Sequence, residues 1–232
     1  DAYGFAGMVA HSGIAVAGKK VLVLGSGGAS ATVCAVLEQL GAASVTVISR
    51  SGEDNYHNLA RHQDAELLVN ATPVGMYPGN GLAAVDLTAF PHCRGVADLI
   101  YNPARTALLL QAEDLGIPCS GGLSMLAAQA AASAALFLGE AMDISKISQV
   151  EGVLRRQTEN LILIGMPGSG KTTLARLLGA ATGRPVWDSD EEIVRRTGLS
   201  IQDVFDRWGE KKFRALETEV LADLGRHWGG IL

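Results

Sequence analysis

The chain has 232 residues and a net charge of −5, with 48% hydrophobic and 19% charged residues. This composition provides enough apolar surface for one or two folded domains and excludes an intrinsically disordered chain. The net negative charge gives no general attraction for nucleic acid, and the longest apolar stretch, 126–138, is too short to span a bilayer. We therefore expect small-molecule partners, with no nucleic acid and no membrane.

The predicted elements alternate along the chain. Apolar strands are predicted over 20–24, 44–49, 67–70, 95–100, 117–119, 161–164 and 184–187, and helices over 29–40, 106–115, 123–138, 145–157 and 171–181. Continuous apolar strands alternating with helices indicate parallel sheets that are covered on both faces, which defines an α/β fold. The composition turns polar near residues 156–160, so we place two domains at 1–157 and 158–232.

The first glycine-rich turn follows the strand over 20–24 and reads Gly-Ser-Gly-Gly-Ala-Ser. Glycines here allow a tight turn and let a pyrophosphate approach the N–H groups of a helix N-terminus. Ser30 stands where a third glycine is usual, and glycine-rich turns are common, so the strand-helix-strand context is what favours a dinucleotide. The predicted binding residues are Gly25, Ser26, Gly27, Gly28 and Ala29.

The end of the second strand selects the dinucleotide. An NAD site needs an acidic residue there, whereas this chain has Ser49-Arg50-Ser51. A guanidinium flanked by hydroxyls suits a 2′-phosphate, which favours NADP(H). The alternative is a solvated arginine at a strand end.

The second glycine-rich turn, residues 165–172, fits the P-loop pattern G-x-x-x-x-G-K-[ST] in full and lies between an apolar strand and a helix. In such a loop the backbone N–H groups hold the phosphates of ATP, Lys171 reaches the β/γ oxygens as a catalytic group, and the Thr172 hydroxyl holds Mg²⁺. The predicted nucleotide-binding residues are Gly168, Ser169, Gly170, Lys171, Thr172 and Thr173.

Two carboxylates follow the next strand, in the sequence Asp188-Ser189-Asp190. One of them can hold the magnesium through water, and the other can accept hydrogen bonds from a substrate hydroxyl. The alternative is a helix N-cap formed by Ser189 or Asp190. Further along, Arg214 and Glu217 share a helical face, which by itself predicts an ordinary ion pair.

Five motifs of the first domain occur in one order: residues 1–5 (DAYGF), the glycine turn, 70–76 (NATPVGM), 98–103 (DLIYNP) and 121–125 (GGLSM). Together they resemble the C-terminal nucleotide-binding part of shikimate dehydrogenase. The resemblance implies that Asp1 is the catalytic aspartate, whose lysine partner lies in a separate substrate domain. It places Tyr101 and Gln129 at the substrate, and Ser49, Arg50, Thr72, Leu99 and Gly122 at the NADP site. Some members carry a second basic residue after the arginine, where this chain has Glu53-Asp54.

The P-loop, the Asp-Ser-Asp segment and residues 209–217 (GEKKFRALE) together resemble shikimate kinase. The resemblance implies that Asp190 and Arg214 bind the substrate's hydroxyls and carboxylate, which leaves Asp188 for the metal with Thr172. The fold expected is therefore a Rossmann-like doubly wound sheet followed by an incomplete P-loop kinase α/β domain.

We interpret the chain as a fragment of a fused enzyme that reduces 3-dehydroshikimate to shikimate with NADPH and then phosphorylates shikimate at its 3-position with ATP. The alternatives are a quinate-type NADP-dependent dehydrogenase and a non-catalytic nucleotide-binding regulator. The three cysteines form no Cys-x-x-Cys pair, which indicates a reducing cytoplasm. Because the chain starts at Asp1 and stops as if entering a strand, we expect it to be inactive alone, with apolar surface uncovered near Leu221, Leu224, Ile231 and Leu232.

Overall fold

A computed structural model describes residues 1–139 and 145–232. These residues form two compact units, Asp1–Glu151 and Gly152–Leu232. The division falls inside the helix Ser145–Thr158, and residue 157, the last residue of the expected first domain, lies near the C-terminal end of that same helix.

The first unit alternates strands and helices. Its strands are β1 (Lys20–Leu24), β2 (Ser44–Ile48), β3 (Leu67–Asn70), β4 (Gly95–Asp98) and β5 (Cys119–Gly121). Its helices are α1 (Ala2–Ser12), α2 (Gly28–Gln39), α3 (Ala107–Asp114), α4 (Gly122–Leu138) and the first half of α5 (Ser145–Thr158). Short 3₁₀ turns, Leu59–His62 and Leu87–Ala89, lie in the connections after β2 and β3. Each element predicted here is present, with its ends displaced by at most about two residues.

The five strands form one parallel sheet in the order β2-β1-β3-β4-β5. Near the start of the first three strands, Val21 of β1 lies opposite Val45 of β2 on one side and Leu67 of β3 on the other. Alternate residues enter different cores, since Val21 packs in the cluster on one face and Leu22 in the cluster on the opposite face. Because both faces are covered, the strands are mainly apolar, which confirms the predicted Rossmann-like doubly wound sheet.

Helix α1 is not predicted by the sequence pattern, yet it is part of the core. Phe5 and Met8 are fully buried, and the helix packs along α4. The contact is so close at Gly4 that a Cβ there would lie 2.3 Å from Cγ of Gln129. The start of α1, with Asp1, is therefore held against the side of α4.

The second unit is built from α6 (Lys171–Thr182), α7 (Ser189–Thr197) and α8 (Ile201–Leu224), the last with a kink at Gly209. Its core contains Ile193, Val204, Phe213 and Val220. The segments predicted as strands over 161–164 and 184–187 each pair with residues 230–232 through a few backbone hydrogen bonds, and Ile231 lies between Leu161 and Val186. These pairings span too few residues to make continuous strands.

The sequence predicted the exposed apolar surface of the second unit only in part, and Leu232 is half-buried. Leu224 and Ile231 are buried, because α8 packs in the core and Ile231 is the central residue of the three paired segments. Leu221 remains exposed. Two apolar residues before the P-loop are more exposed than Leu221: Ile162 is 67% and Ile164 is 89% accessible.

Within the described ranges, no helix combines the length and apolar character that a bilayer crossing requires.

Candidate nucleotide-binding sites

The turn after β1 lies where the strand order of the sheet reverses, since β2 and β3 flank β1 on opposite sides. Open α/β sheets bind ligands at such a point, beyond the carboxyl ends of the strands. Gly25 has a φ of 103°, and a Cβ there would lie 2.8 Å from Cγ2 of Thr72 and 3.0 Å from the carbonyl oxygen of Ala71. A glycine is therefore required where the ends of β1 and β3 meet.

Helix α2 opens directly from this turn, with Gly27 as its N-cap. No side chain of the described residues caps it, and a Cβ at Gly27 or Gly28 would meet nothing within 4 Å. Ser26, Gly27, Gly28 and Ala29 are all exposed. The first N–H groups of α2 therefore face open space, as an anion site at a helix N-terminus requires.

The loop after β2 carries Arg50 on a closely bonded turn. The N–H of Gly52 donates to Oγ of Ser49 at 2.7 Å, and the N–H of Ser49 donates to the carbonyl of Asp54 at 3.1 Å. Arg50 itself is exposed and makes no ion pair with any described residue. Partial burial raises the pKa of the Tyr56 phenol, and the positive charge of Arg50 lowers this pKa by a smaller amount. The guanidinium is thus available to an anionic ligand.

The remaining residues expected at the dinucleotide lie at the ends of β3, β4 and β5. Thr72 lies two residues beyond the end of β3, and its methyl group is 2.8 Å from where a Cβ at Gly25 would be. Gly122 lies so close to the chain after β4 that a Cβ there would be 2.1 Å from the carbonyl oxygen of Leu99. The structure therefore brings Thr72 to Gly25 and Leu99 to Gly122, at the carboxyl edge of the sheet.

Two of the three residues expected at the dehydrogenase substrate are in contact. Nε2 of Gln129 donates to Oδ1 of Asp1 at 2.7 Å, which ties the first residue of the chain to α4. Asp1 precedes α1 without capping it through its side chain. Tyr101 follows β4, is 58% exposed, and shares no hydrogen bond with either residue in the described part of the chain.

A buried polar cluster lies beneath this site, and sequence reasoning did not assign it a role. Asn70 and Asp98, at the ends of β3 and β4, are fully buried and joined by a hydrogen bond of 3.0 Å. Burial raises the pKa of Asp98, opposed by hydrogen bonds from Thr106, Ile100 and Asn70. The sequence does show a polar residue at the end of each of two apolar strands. Such residues are usually interpreted as facing solvent, so this pattern does not by itself indicate a buried cluster.

In the second unit the P-loop wraps around its own lysine. Nζ of Lys171 donates to the carbonyl oxygens of Gly165 and Met166, at 2.8 and 2.9 Å. Gly168 and Gly170 have φ values of 75° and 86°, which favour glycine, and α6 begins directly after Gly170. The loop is exposed, so its N–H groups and the ammonium lie where phosphates would arrive.

The hydroxyl and carboxylate expected at the metal are neighbours. Oγ1 of Thr172 donates to Oδ2 of Asp188 at 3.1 Å. Asp188 is also the N-cap of α7, where its Oδ1 accepts from the N–H of Asp190 at 2.9 Å, so the capping residue is Asp188 and not Ser189 or Asp190. No cluster of three or more metal-binding His, Cys, Asp or Glu side chains occurs in the described residues. Two hard oxygen groups beside a phosphate loop fit Mg²⁺, which takes few protein ligands and keeps waters and phosphate oxygens.

Glu217 forms an ion pair with Arg214, and its negative charge also acts on Asp190. Arg214 donates to Glu217 at 2.9 Å and pairs with Glu210 at 3.7 Å, so the expected ion pair on the helical face is present. Burial raises the pKa of Asp190, and the charges of Asp188 and Glu217 raise it further, while Lys171 lowers it. The charges of Glu217 and Lys171 thus act on the Asp190 carboxyl in opposite directions.

The fold and geometry define two classes of site: a dinucleotide-binding site on a doubly wound sheet, and a P-loop phosphate site. Comparison with known proteins identifies the relatives of each. A family model described as "Shikimate kinase" matches residues 167–232. The shikimate kinase of Methylococcus capsulatus is 52% identical over 69 residues, which cover 30% of this chain and 38% of that protein.

The N-terminal part of the chain matches a different group. The shikimate dehydrogenase (NADP(+)) of a Geobacter species is 39% identical over 145 residues, covering 53% of this chain and 50% of the relative. The crystal structure of shikimate 5-dehydrogenase from Thermus thermophilus, in complex with NADP(H) and shikimate, aligns with a TM-score of 0.56 and 29% identity over 65% of this chain and 60% of that one. The chain spans half or less of the length of these two curated relatives.

The chain thus joins a segment homologous to shikimate dehydrogenases to a segment homologous to shikimate kinases. This confirms both resemblances drawn from the sequence motifs.

Proposed function

We propose that the chain is part of a bifunctional enzyme of the shikimate pathway. Residues 1–157 would form the NADP-binding domain of a dehydrogenase that reduces 3-dehydroshikimate to shikimate, and residues 158–232 the N-terminal part of a kinase that phosphorylates shikimate at its 3-position. The observation that carries the first half is the exposed N-terminus of α2 beside an arginine with no described ion-pair partner. The order of the two reactions supports the pairing, because the product of one is the substrate of the other.

At the first site, the α2 N-terminus would hold the pyrophosphate and Arg50 the 2′-phosphate of NADP(H). The cofactor, when bound, supplies the hydride for the ring carbonyl. Asp1 would accept a hydrogen bond from a substrate hydroxyl, and its contact with Gln129 supports this role because the amide holds the carboxylate oriented. Tyr101 would add a further polar contact to the substrate, and Thr72, Leu99 and Gly122 would line the cofactor.

At the second site, Lys171 would exchange its two carbonyl partners for phosphate oxygens of ATP. Thr172 and Asp188 would hold Mg²⁺, which would neutralise charge on the phosphates. Asp190 would accept a hydrogen bond from a hydroxyl of shikimate, and Arg214 would bind its carboxylate in place of Glu217. The three cysteines are free thiols, which supports a reducing cytoplasmic location.

The cofactor preference gives the direct test. Arg50→Ala removes one bidentate phosphate contact and should cost about 1.5–3 kcal/mol of NADPH affinity, roughly a 10- to 100-fold rise in Kd, with NADH binding unchanged. Arg61→Ala, an exposed arginine in the same β2–β3 connection, is the matched control. Fluorescence titration with both cofactors measures the effect. Equal weakening of NADPH and NADH would contradict the proposed role of Arg50.

The chain covers too little of either relative to hold a complete substrate site, so nucleotide binding should persist where turnover does not. NADP⁺ reduction with shikimate, and ADP formation from ATP with shikimate, should both be at least tenfold slower than for a full-length dehydrogenase and kinase. Replacing shikimate with quinate in the first assay, on a version carrying the full substrate domain, separates the two dehydrogenase classes. Binding without turnover of either acid in that version would favour a regulator.

A further inference from the structure

The cluster beneath the first site consists of polar side chains that are shielded from solvent. Asn70 and Asp98 are 0% exposed and Thr106 is 1% exposed. Polar groups in such a position cost free energy unless each is hydrogen-bonded, and a buried carboxylate costs most. Each donor and acceptor of these side chains therefore needs a hydrogen-bond partner.

Three donors face the carboxylate of Asp98. Oγ1 of Thr106 donates to Oδ2 at 2.6 Å, while Nδ2 of Asn70 and the N–H of Ile100 donate to Oδ1 at 3.0 and 3.1 Å. No described cation pairs with Asp98, so these donors are what stabilise its charge. An ionised carboxylate only accepts hydrogen bonds, which matches a ring of donors.

Asp98 thereby determines how the amide of Asn70 is oriented. Because Nδ2 of Asn70 must point to Asp98, its Oδ1 faces the next residues of the chain, where it accepts from the N–H and Oγ1 of Thr72 at 3.1 and 2.7 Å. Thr72 is the residue whose methyl group contacts the glycine turn at Gly25. The amide of Asn70 thus connects the buried carboxylate to the cofactor site.

The same carboxylate oxygen also holds the turn after β4. The N–H of Ile100 donates to Asp98, and the carbonyl of Ile100 accepts from the N–H of Gly122 at 3.0 Å. Leu99 and Tyr101 are the neighbours of Ile100 in this turn. One oxygen of Asp98 therefore contacts both the segment that leads to Thr72 and the segment that leads to Tyr101.

We propose that Asp98 is a positioning residue of the dehydrogenase site, which through Asn70 holds Thr72 against the glycine turn and through Ile100 holds the turn that carries Tyr101. The proposal rests on the proposed NADP function of the first unit. Thr106 has a separate role, since its hydroxyl bonds the other carboxylate oxygen and caps α3 at the N–H of Leu109.

An exchange of the two side chains tests this role on the 232-residue chain, with NADPH titration as the readout. Asn70→Asp places two carboxylates face to face and removes the donor, so Kd for NADPH should rise at least tenfold. The double variant Asn70→Asp/Asp98→Asn restores a donor and an acceptor between the two positions with the polarity reversed. It should bind NADPH at least threefold more tightly than Asn70→Asp but not as tightly as the wild type, because the amide NH2 that Asp98→Asn turns toward position 70 cannot accept from the N–H of Ile100.

Thr106→Val is the matched control, because it removes a hydrogen bond to the same carboxylate on the side away from Asn70. It should lower the thermal midpoint of the first unit and leave Kd for NADPH within threefold. The proposal is overturned if the double variant is no better than Asn70→Asp, or if Thr106→Val weakens NADPH as much as Asn70→Asp does. A wild-type chain that binds no NADPH would instead contradict the proposed function.

Discussion

The two glycine turns have the same local design but different support. Each follows an apolar segment, contains glycine at positive φ and opens a helix. The first is anchored in a five-stranded sheet, where the preceding Leu24 is fully buried and β1 is paired on both sides. The segment before the second is paired through isolated bridges, and its Ile164 is 89% exposed.

The difference separates what a motif determines from what the rest of the fold supplies. Turn conformation depends on a few glycines close together in sequence, so both turns form. Support from distant parts of the chain differs in extent: β1 is paired along its length on both sides, whereas the segment before the P-loop pairs, among the described residues, with 230–232 alone. In the first site, the N-terminus of α2 faces solvent. In the second site, Lys171 donates hydrogen bonds to carbonyl oxygens of its own loop.

A core substitution tests the difference in support. Leu68→Ala removes a fully buried side chain from β3 and should destabilise the first unit by about 2–5 kcal/mol. All three tryptophans lie in the second unit, at 187, 208 and 228, so tryptophan fluorescence reports that unit alone while far-UV circular dichroism reports both. The dichroism transition in urea should shift to lower denaturant, and the fluorescence transition should not.

Ile162→Ala is the matched change in the second unit. Its side chain is 67% exposed, so we expect a change within about 0.5 kcal/mol. A loss comparable with that of Leu68→Ala would mean that the segment before the P-loop is as well packed as β3, which would remove the contrast between the two turns.

The lysine of the second turn provides a smaller, functional test. Lys171→Ala should weaken ATP binding at least tenfold, about 1.4 kcal/mol or more, because a charge-assisted contact to phosphate is lost. NADPH binding should be unchanged. Calorimetric titration with each nucleotide measures both affinities. Lys212→Ala, which changes an exposed residue of α8, controls for the loss of one positive charge. A parallel loss of NADPH affinity would contradict the assignment of the two sites to separate units.

The smallest expected effect concerns Asp190. Its pKa is raised in the folded chain, so ionisation above that pKa costs stability, and the cost fades as the pH falls toward the ordinary value of 3.8. Asp190→Asn should therefore stabilise the second unit at pH 7, by less than about 1 kcal/mol because the group is largely exposed, and by no more than this at pH 5. Urea unfolding followed by tryptophan fluorescence at both pH values tests this, with Asp206→Asn as the control. A larger gain in unfolding free energy at pH 5 than at pH 7 would contradict a raised pKa of Asp190 in the folded chain.

The sequence was informative where the signal is local or repeated. Continuous apolar strands predicted the sheet of the first unit to within about two residues at each end. The ordered motifs of the first domain, and the P-loop with the two motifs after it, predicted both groups of relatives. Helix α1 was missed because its apolar residues extend around much of the helix, so no amphipathic pattern marks it. The strands over 161–164 and 184–187 were overestimated, since strand length depends on partners and not on apolar character alone.

By itself, the sequence determined the order of strands and helices in the first unit from β1 onward, the two glycine turns, and the residues that present charge to a phosphate. These depend on side-chain periodicity, on backbone freedom at glycine and on the chemistry of guanidinium and ammonium groups. The tertiary structure alone decided that Gln129 holds Asp1, that Asp188 caps α7 beside Thr172, and that Asp98 lies buried beneath the first site. The Asp1–Gln129, Thr172–Asp188 and Asn70–Asp98 contacts each join residues that are separated in sequence, so only chain folding brings them together.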